Sequence, residues 1–155
     1  MSEQHPRDAF ARAFEAISHK ERTAAEVSAW LAKREFSLFE IEDAVNRLID
    51  AEALDDEKFA RRFAEDKREL RGWGPQRIEE ALMARGLDRS IVAAAVIGDD
   101  RSDQLERAVA LLENRGQATV DEASRARALA FLARRGYDAE LAYDAVRGFE
   151  RRCAA

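Results

Sequence analysis

Leu54–Leu87, LDDEKFARRFAEDKRELRGWGPQRIEEALMARGL, is the stretch that decides the fold. Asp55 or Asp56 makes a good N-cap, because a short carboxylate there accepts from an unpaired first-turn amide and opposes the positive end of the helix dipole. Phe59, Phe63 and Leu70 stand at i, i+4 and i+11, which predicts a helix carrying all three on one apolar face within roughly 40°. Arg61 and Arg68 fall on the opposite side, with Arg62, Lys67 and Arg71 on the flanks. Gly72-Trp73-Gly74-Pro75 reads as a corner into a second helix. Pro75 suits its first turn and Gly86 its C′ position.

The same plan extends in both directions. Upstream, a helix is predicted from Asp8 to Lys20 with Phe10, Phe14 and Ile17 on one face. Capping boxes at Thr23/Glu26 and Ser37/Glu40 open two more helices. Downstream, helices are expected over Asp88–Ile97, Ser102–Asn114, Asp121–Arg135 and Asp138–Arg152. Leu31, Leu82 and Leu132, spaced by 51 and 50 residues, anchor an internal repeat. Three residues on stand Arg34, Arg85 and Arg135, and one further stand Glu35, Gly86 and Gly136. Ala44-Val45, Ala95-Val96 and Ala145-Val146 also align, as do Val27, Ile78 and Ala128. The expectation is an all-α fold of three tandem three-helix repeats in an elongated or curved array. The units cover residues 1–52, including a short N-terminal tail (residues 1–7), 53–98 and 99–155.

Composition agrees with helices. The 155 residues are 46% hydrophobic and 37% charged, with two Pro and seven Gly, and no stretch alternates long enough for a strand. The single Cys153 excludes an intramolecular disulfide. The absence of a leader-like segment or an 18-residue apolar run points to a cytoplasmic protein with no membrane contact. The net charge of −5 argues against general adhesion to nucleic acid, so any DNA contact requires a local basic patch or a protein partner.

No catalytic constellation is present. His5 lies in the tail and His19 ends the first helix, so neither forms a metal-ligand cluster. No phosphate-cradling glycine loop follows a strand, so no cofactor is expected. Acid pairs such as Asp55-Asp56, Glu79-Glu80 and Asp99-Asp100 read as caps and solvated links. The basic residues are more informative. Arg61, Arg62, Lys67, Arg68, Arg71 and Arg77 outnumber three acids in that span, Glu65, Asp66 and Glu69. One reading is a solvated face laced with i,i+4 pairs such as Arg61–Glu65 and Arg62–Asp66. The other is a contact patch for an acidic protein surface or a phosphate backbone, with Trp73 either its aromatic anchor or a plug between repeats. A second candidate patch comprises Arg125, Arg127, Arg134, Arg135, Arg147, Arg151 and Arg152.

Leu54-Asp55-Asp56, Phe59-Ala60, Phe63, Gly74-Pro75, Arg77-Ile78, Leu82 and Gly86-Leu87 resemble the central-repeat signature of the RecX family of recombinase regulators. Phe131-Leu132 through Arg135-Gly136-Tyr137 is similar to that family's terminal repeat. The resemblance implies a non-enzymatic modulator that binds the RecA–single-stranded DNA filament. It further implies inhibition of filament extension, ATP hydrolysis, strand exchange and RecA co-protease activity, in DNA repair and recombination. The family's basic stretch falls here on Arg61, Arg62, Lys67, Arg68, Arg71 and Arg77, with Trp73 and Arg85 as further contact candidates. The partners expected are the RecA filament and, through it, single-stranded DNA, met by a monomer. The competing class is a helix-turn-helix-like DNA-binding module, which predicts tight, salt-sensitive duplex binding.

Overall fold

The computed structural model describes residues 8–155, so the expected tail and His5 lie outside the described residues. Among these it is all-helical: α1 Ala9–His19, α2 Ala24–Lys33, α3 Leu38–Asp50, α4 Asp56–Arg71, α5 Pro75–Ala84, α6 Arg89–Ile97, α7 Arg101–Arg115, α8 Glu122–Arg134 and α9 Ala139–Ala154. The starts follow local chemistry. Thr23 and Ser37 both close full capping boxes with Glu26 and Glu40. Asp55 accepts from the Lys58 amide, and Pro75 occupies the first turn of α5 behind Gly74.

Three separate cores result. The first gathers Val27, Leu31, Val45 and Leu48; the second Phe59, Ile78, Leu82 and Val92; the third Leu112, Leu132, Leu141 and Val146. The repeat anchors Leu31, Leu82 and Leu132 are each fully buried, as are Val27, Ile78 and Ala128. Within each unit the third helix packs on both others. Each unit therefore has its own hydrophobic interior, and the chain is an array of three rather than one common core.

Polar contacts join the units. At the first junction Thr23 Oγ1 donates to the Arg85 carbonyl (2.8 Å), and the Ala24 amide donates to Asp56 Oδ1 (3.0 Å). At the second, the Gly74 amide donates to the Arg135 carbonyl (2.7 Å) and the Gln76 amide to the Gly136 carbonyl (2.9 Å). The first turn of each middle helix thus meets the last turn of the next unit's middle helix. The free Ala24 amide of α2 is satisfied by Asp56 at the start of α4, those of Gly74 and Gln76 by carbonyls at the end of α8, and the three middle-helix dipoles run head to tail. Close approach needs glycine. A Cβ on Gly74 would lie 2.6 Å from the Gly136 carbonyl oxygen, and one on Gly136 would lie 2.5 Å from the Arg77 amide nitrogen.

Two expected apolar positions differ. Leu70 is 77% exposed and Phe14 51% exposed. Helix α4 has 16 residues against 10 in α5 and 9 in α6, so at about 1.5 Å per residue its last turns overhang the core. Leu70 continues the apolar stripe past the point where anything covers it.

Candidate functional site

The corner between α4 and α5 carries Trp73 half-buried, packed through Phe63 onto the second core. The two rings meet edge to face at a centroid separation of 6.3 Å. Lys67 Nζ lies 4.9 Å from the Trp73 ring centroid and the Arg77 guanidinium 4.2 Å from it, so cations bracket the indole. At these distances the ring quadrupole attracts both charges. Trp73 is therefore packed against the core of its own unit on one side and bordered by two cations on the other.

The corner is held from below by a buried network. Asp99, in the link between α6 and α7, has its side chain 2% exposed. It accepts from both terminal nitrogens of Arg107, at 3.0 and 2.8 Å. Arg107 also donates to the Tyr137 hydroxyl (3.1 Å) and to the Trp73 carbonyl (3.4 Å). The Tyr137 hydroxyl in turn donates to the Gly72 carbonyl (2.8 Å). Burial pushes the Tyr137 pKa up, which keeps its hydroxyl a donor, although the nearby Arg107 charge opposes that shift. Burial lowers the Arg107 pKa, and the bonds to Asp99 and Tyr137 more than offset this. The acid pair Asp99-Asp100 is thus not a solvated link. Asp100 caps α7, and Asp99 is the centre of a buried ion cluster.

The eight contact candidates divide by what they touch. Arg68 is not on an open basic face: its side chain is 17% exposed, its Nε lies 3.5 Å from Asp99 Oδ2, and its Nη2 donates to the Ala95 carbonyl (2.8 Å). Arg85 is committed to the first junction, donating to Glu26 at 2.5 and 2.9 Å. Arg62 pairs with Glu21 across the same junction. Arg61 and Arg71 have exposed side chains, while Lys67 and Arg77 flank Trp73. Neither i,i+4 pair anticipated on α4 forms within 4.0 Å, because Arg62 reaches instead to the neighbouring unit.

The second basic group divides likewise. Arg125 binds Glu150 (2.9 Å) and Arg152 approaches Glu113 (3.4 Å). The end of α8 comes instead to the first patch: Arg77 Nη1 donates to the Arg134 backbone carbonyl (3.3 Å) and Arg135 Nη1 to the Arg71 carbonyl (2.9 Å). Two cation runs that are about sixty residues apart in the chain become neighbours across the second junction. That juxtaposition depends on which helix ends meet, and no local spacing announces it. Asp99 and Arg107 are also missed by sequence reasoning, their only trace being an acid before one helix and a cation within it.

Among the described residues no cluster of His, Cys, Asp or Glu is suited to a metal ion, and no helix is long and apolar enough to cross a membrane.

Comparison with known proteins agrees with this architecture. Residues 9–48 match the family model described as RecX, first three-helix domain, and residues 55–96 match RecX, second three-helix domain. The regulatory protein RecX of Thermobifida fusca is 32% identical over 149 residues, covering 92% of this chain and 80% of that protein. The RecX of Mycolicibacterium vanbaalenii is 30% identical over 139 residues, covering 84% and 76%. A Listeria monocytogenes RecX is 26% identical over 134 residues, and the chain spans 50% of its length. In fold, the crystal structure of RecX from Lactobacillus salivarius superposes with a TM-score of 0.84 at 22% identity, covering 92% of this chain and 95% of that one.

Proposed function

The chain belongs to the RecX family of regulatory proteins, and from that premise we propose that it regulates RecA by binding the RecA–single-stranded DNA filament, without chemistry of its own. The bound protein opposes filament extension and with it ATP hydrolysis, strand exchange and co-protease activity. The observation that carries this reading is the α4–α5 corner, where Trp73 stands between Lys67 and Arg77 with Arg71 beside it. An aromatic flanked by cations suits an acidic protein surface, because the ring supplies contact area at low entropic cost. An array of independent units also lets separate weak contacts add along a repetitive partner.

The competing reading, a duplex-reading helix-turn-helix module, asks a helix N-terminus to enter the major groove. The N-termini of α2 and α5 are consumed in the junctions. Helix α3 carries Glu40 in its first turn, and α9 opens on Asp138 and Glu140, which repel phosphate. A filament-binding regulator fits better.

The test is RecA ATP hydrolysis on single-stranded DNA during titration with this protein. Hydrolysis should fall at or below stoichiometric amounts, and a rate that stays level there removes the proposal. Charge reversal at Arg71 and Arg77 together should weaken inhibition about tenfold, the loss of roughly one charge-assisted contact, with circular dichroism unchanged. An identical inhibition curve places the contact elsewhere.

A further inference from the structure

In the third unit a second group of cations lines a concavity of its own, next to the Trp73 corner but sharing none of its side chains. Arg127, Phe131 and Arg134 fall at i, i+4 and i+7 on α8, within roughly 60° of one another on one face. The last residue of α7, Arg115, reaches the same place, and together with Gln117 and Ala130 these side chains line a shallow pocket. The Arg115 guanidinium lies 5.1 Å from the Phe131 ring centroid, which holds it over the pocket. Its Nη2 donates to Gln117 Oε1 (2.8 Å), while its Nη1 is buried with no hydrogen-bond partner. A buried guanidinium nitrogen left without an acceptor is costly unless something supplies one.

Among the described residues no carboxylate lies within 4.0 Å of Arg115, Arg127 or Arg134 in an ion pair. Of the acids near in the chain, Glu113 lies 3.4 Å from Arg152, Asp138 caps α9 by accepting from the Leu141 amide (2.8 Å), and Asp121 caps α8, where its Oδ1 accepts from the Ser124 amide (2.8 Å). Bonds from Ser124, with smaller contributions from Arg127 and Arg125, hold its carboxyl below the usual range. The exposed guanidinium forks of Arg127 and Arg134, with Arg115 at the edge of the same concavity, ask for an anion with several oxygens. A carboxylate has two, enough for a single fork, whereas a phosphate group can meet each fork at once.

We propose that Arg115, Arg127 and Arg134 form a phosphate-binding pocket in the third unit. The ligand chemistry is a phosphate group, carried either by a nucleic-acid strand or free in solution as the inorganic ion. The pocket lies beyond residue 96, where the matched RecX domain models end, and it stands independently of the RecA reading.

The experiment takes the full chain at low ionic strength and titrates inorganic phosphate in one arm and a fluorescent twelve-nucleotide oligo(dT) in the other. The double variant Arg127→Gln with Arg134→Gln is measured beside it. Both side chains are exposed, so the melting temperature should not move, and Arg115→Gln provides a separate variant. Binding of inorganic phosphate that weakens about a hundredfold in the double variant supports the pocket. If phosphate also displaces the oligonucleotide, the strand is a source. If only the oligonucleotide binds, and weakens by the same factor, the pocket is specific for the diester backbone. Binding of neither probe, or binding that the variants leave unchanged, overturns the proposal. RecA is absent from both arms, so the result does not depend on its inhibition.

Discussion

Asp56 and Glu26 sit at the same junction with opposite pH senses. Burial raises the Asp56 carboxyl above its ordinary 3.8, opposed by the Ala24 amide and reinforced by Asp88 and Asp55. A raised folded-state pKa stabilises below the unfolded value and loses that contribution as pH climbs through the folded one. Asp56→Asn keeps an oxygen for the Ala24 amide and drops the charge. It should be no less stable than the parent at pH 7 in urea unfolding, with any advantage vanishing below about pH 3.8. Glu26 is held below 4.5, first by its hydrogen bond from Arg85, with burial opposing. Its contribution is present above that value and lost as pH falls through the folded pKa. Glu26→Gln should therefore flatten the acid limb of the melting temperature against pH, and an unchanged limb would mean the Arg85 bond does not set it. Removal of one buried hydroxyl tests the other junction: Tyr137→Phe should cost about 1–2 kcal/mol in chemical unfolding, since it strands the Gly72 carbonyl.

At the scale of the helix, much was legible beforehand. Thr23/Glu26 and Ser37/Glu40 specify their own helix starts, because a capping box is satisfied entirely within four residues. The repeat anchors were readable for the same kind of reason: a residue that recurs at the centre of each unit meets the same surroundings. Leu82→Ala should cost about 2–5 kcal/mol through the cavity it leaves in the second core. The faces of α4 were less legible. Periodicity placed Leu70 inside and Arg68 outside, yet a helix longer than its neighbours leaves Leu70 uncovered, and Asp99 draws Arg68 inward. Both outcomes depend on residues far along the chain, which a helical wheel does not contain. The contact candidates were sorted by the same distant partners, Glu21, Glu26 and Asp99.

For the molecule as a whole, the alignment of Glu35 with Gly86 and Gly136 acquires a physical reason. All three adopt positive φ, at 65°, 82° and 101°. Only the glycines face a neighbour: a Cβ on Gly86 would come within 2.7 Å of the Ala25 Cβ, and one on Gly136 would strike Arg77. Glu35, at the end of α2, is exposed among the described residues, so a side chain is tolerated there at the ordinary cost of the left-handed conformation, about 1–2 kcal/mol. Gly74→Ala isolates the packing requirement, since its φ of −88° suits any residue. It should destabilise the second junction by about 1–3 kcal/mol through overpacking. Proteolysis or domain-resolved melting that still shows the second and third units unfolding together would argue against this.

The head-to-tail joints also set how the array deforms. Each core is closed within its own unit, so tilting one unit against the next strains the polar contacts and glycine approach of the joint, including the buried Asp99–Arg107–Tyr137 network at the second, before it opens an apolar interior. Mechanically this is a chain of apolar links joined by polar couplings. Hydrogen exchange should register it, with the Gly74 and Gln76 amides opening at a lower free energy than amides within α5.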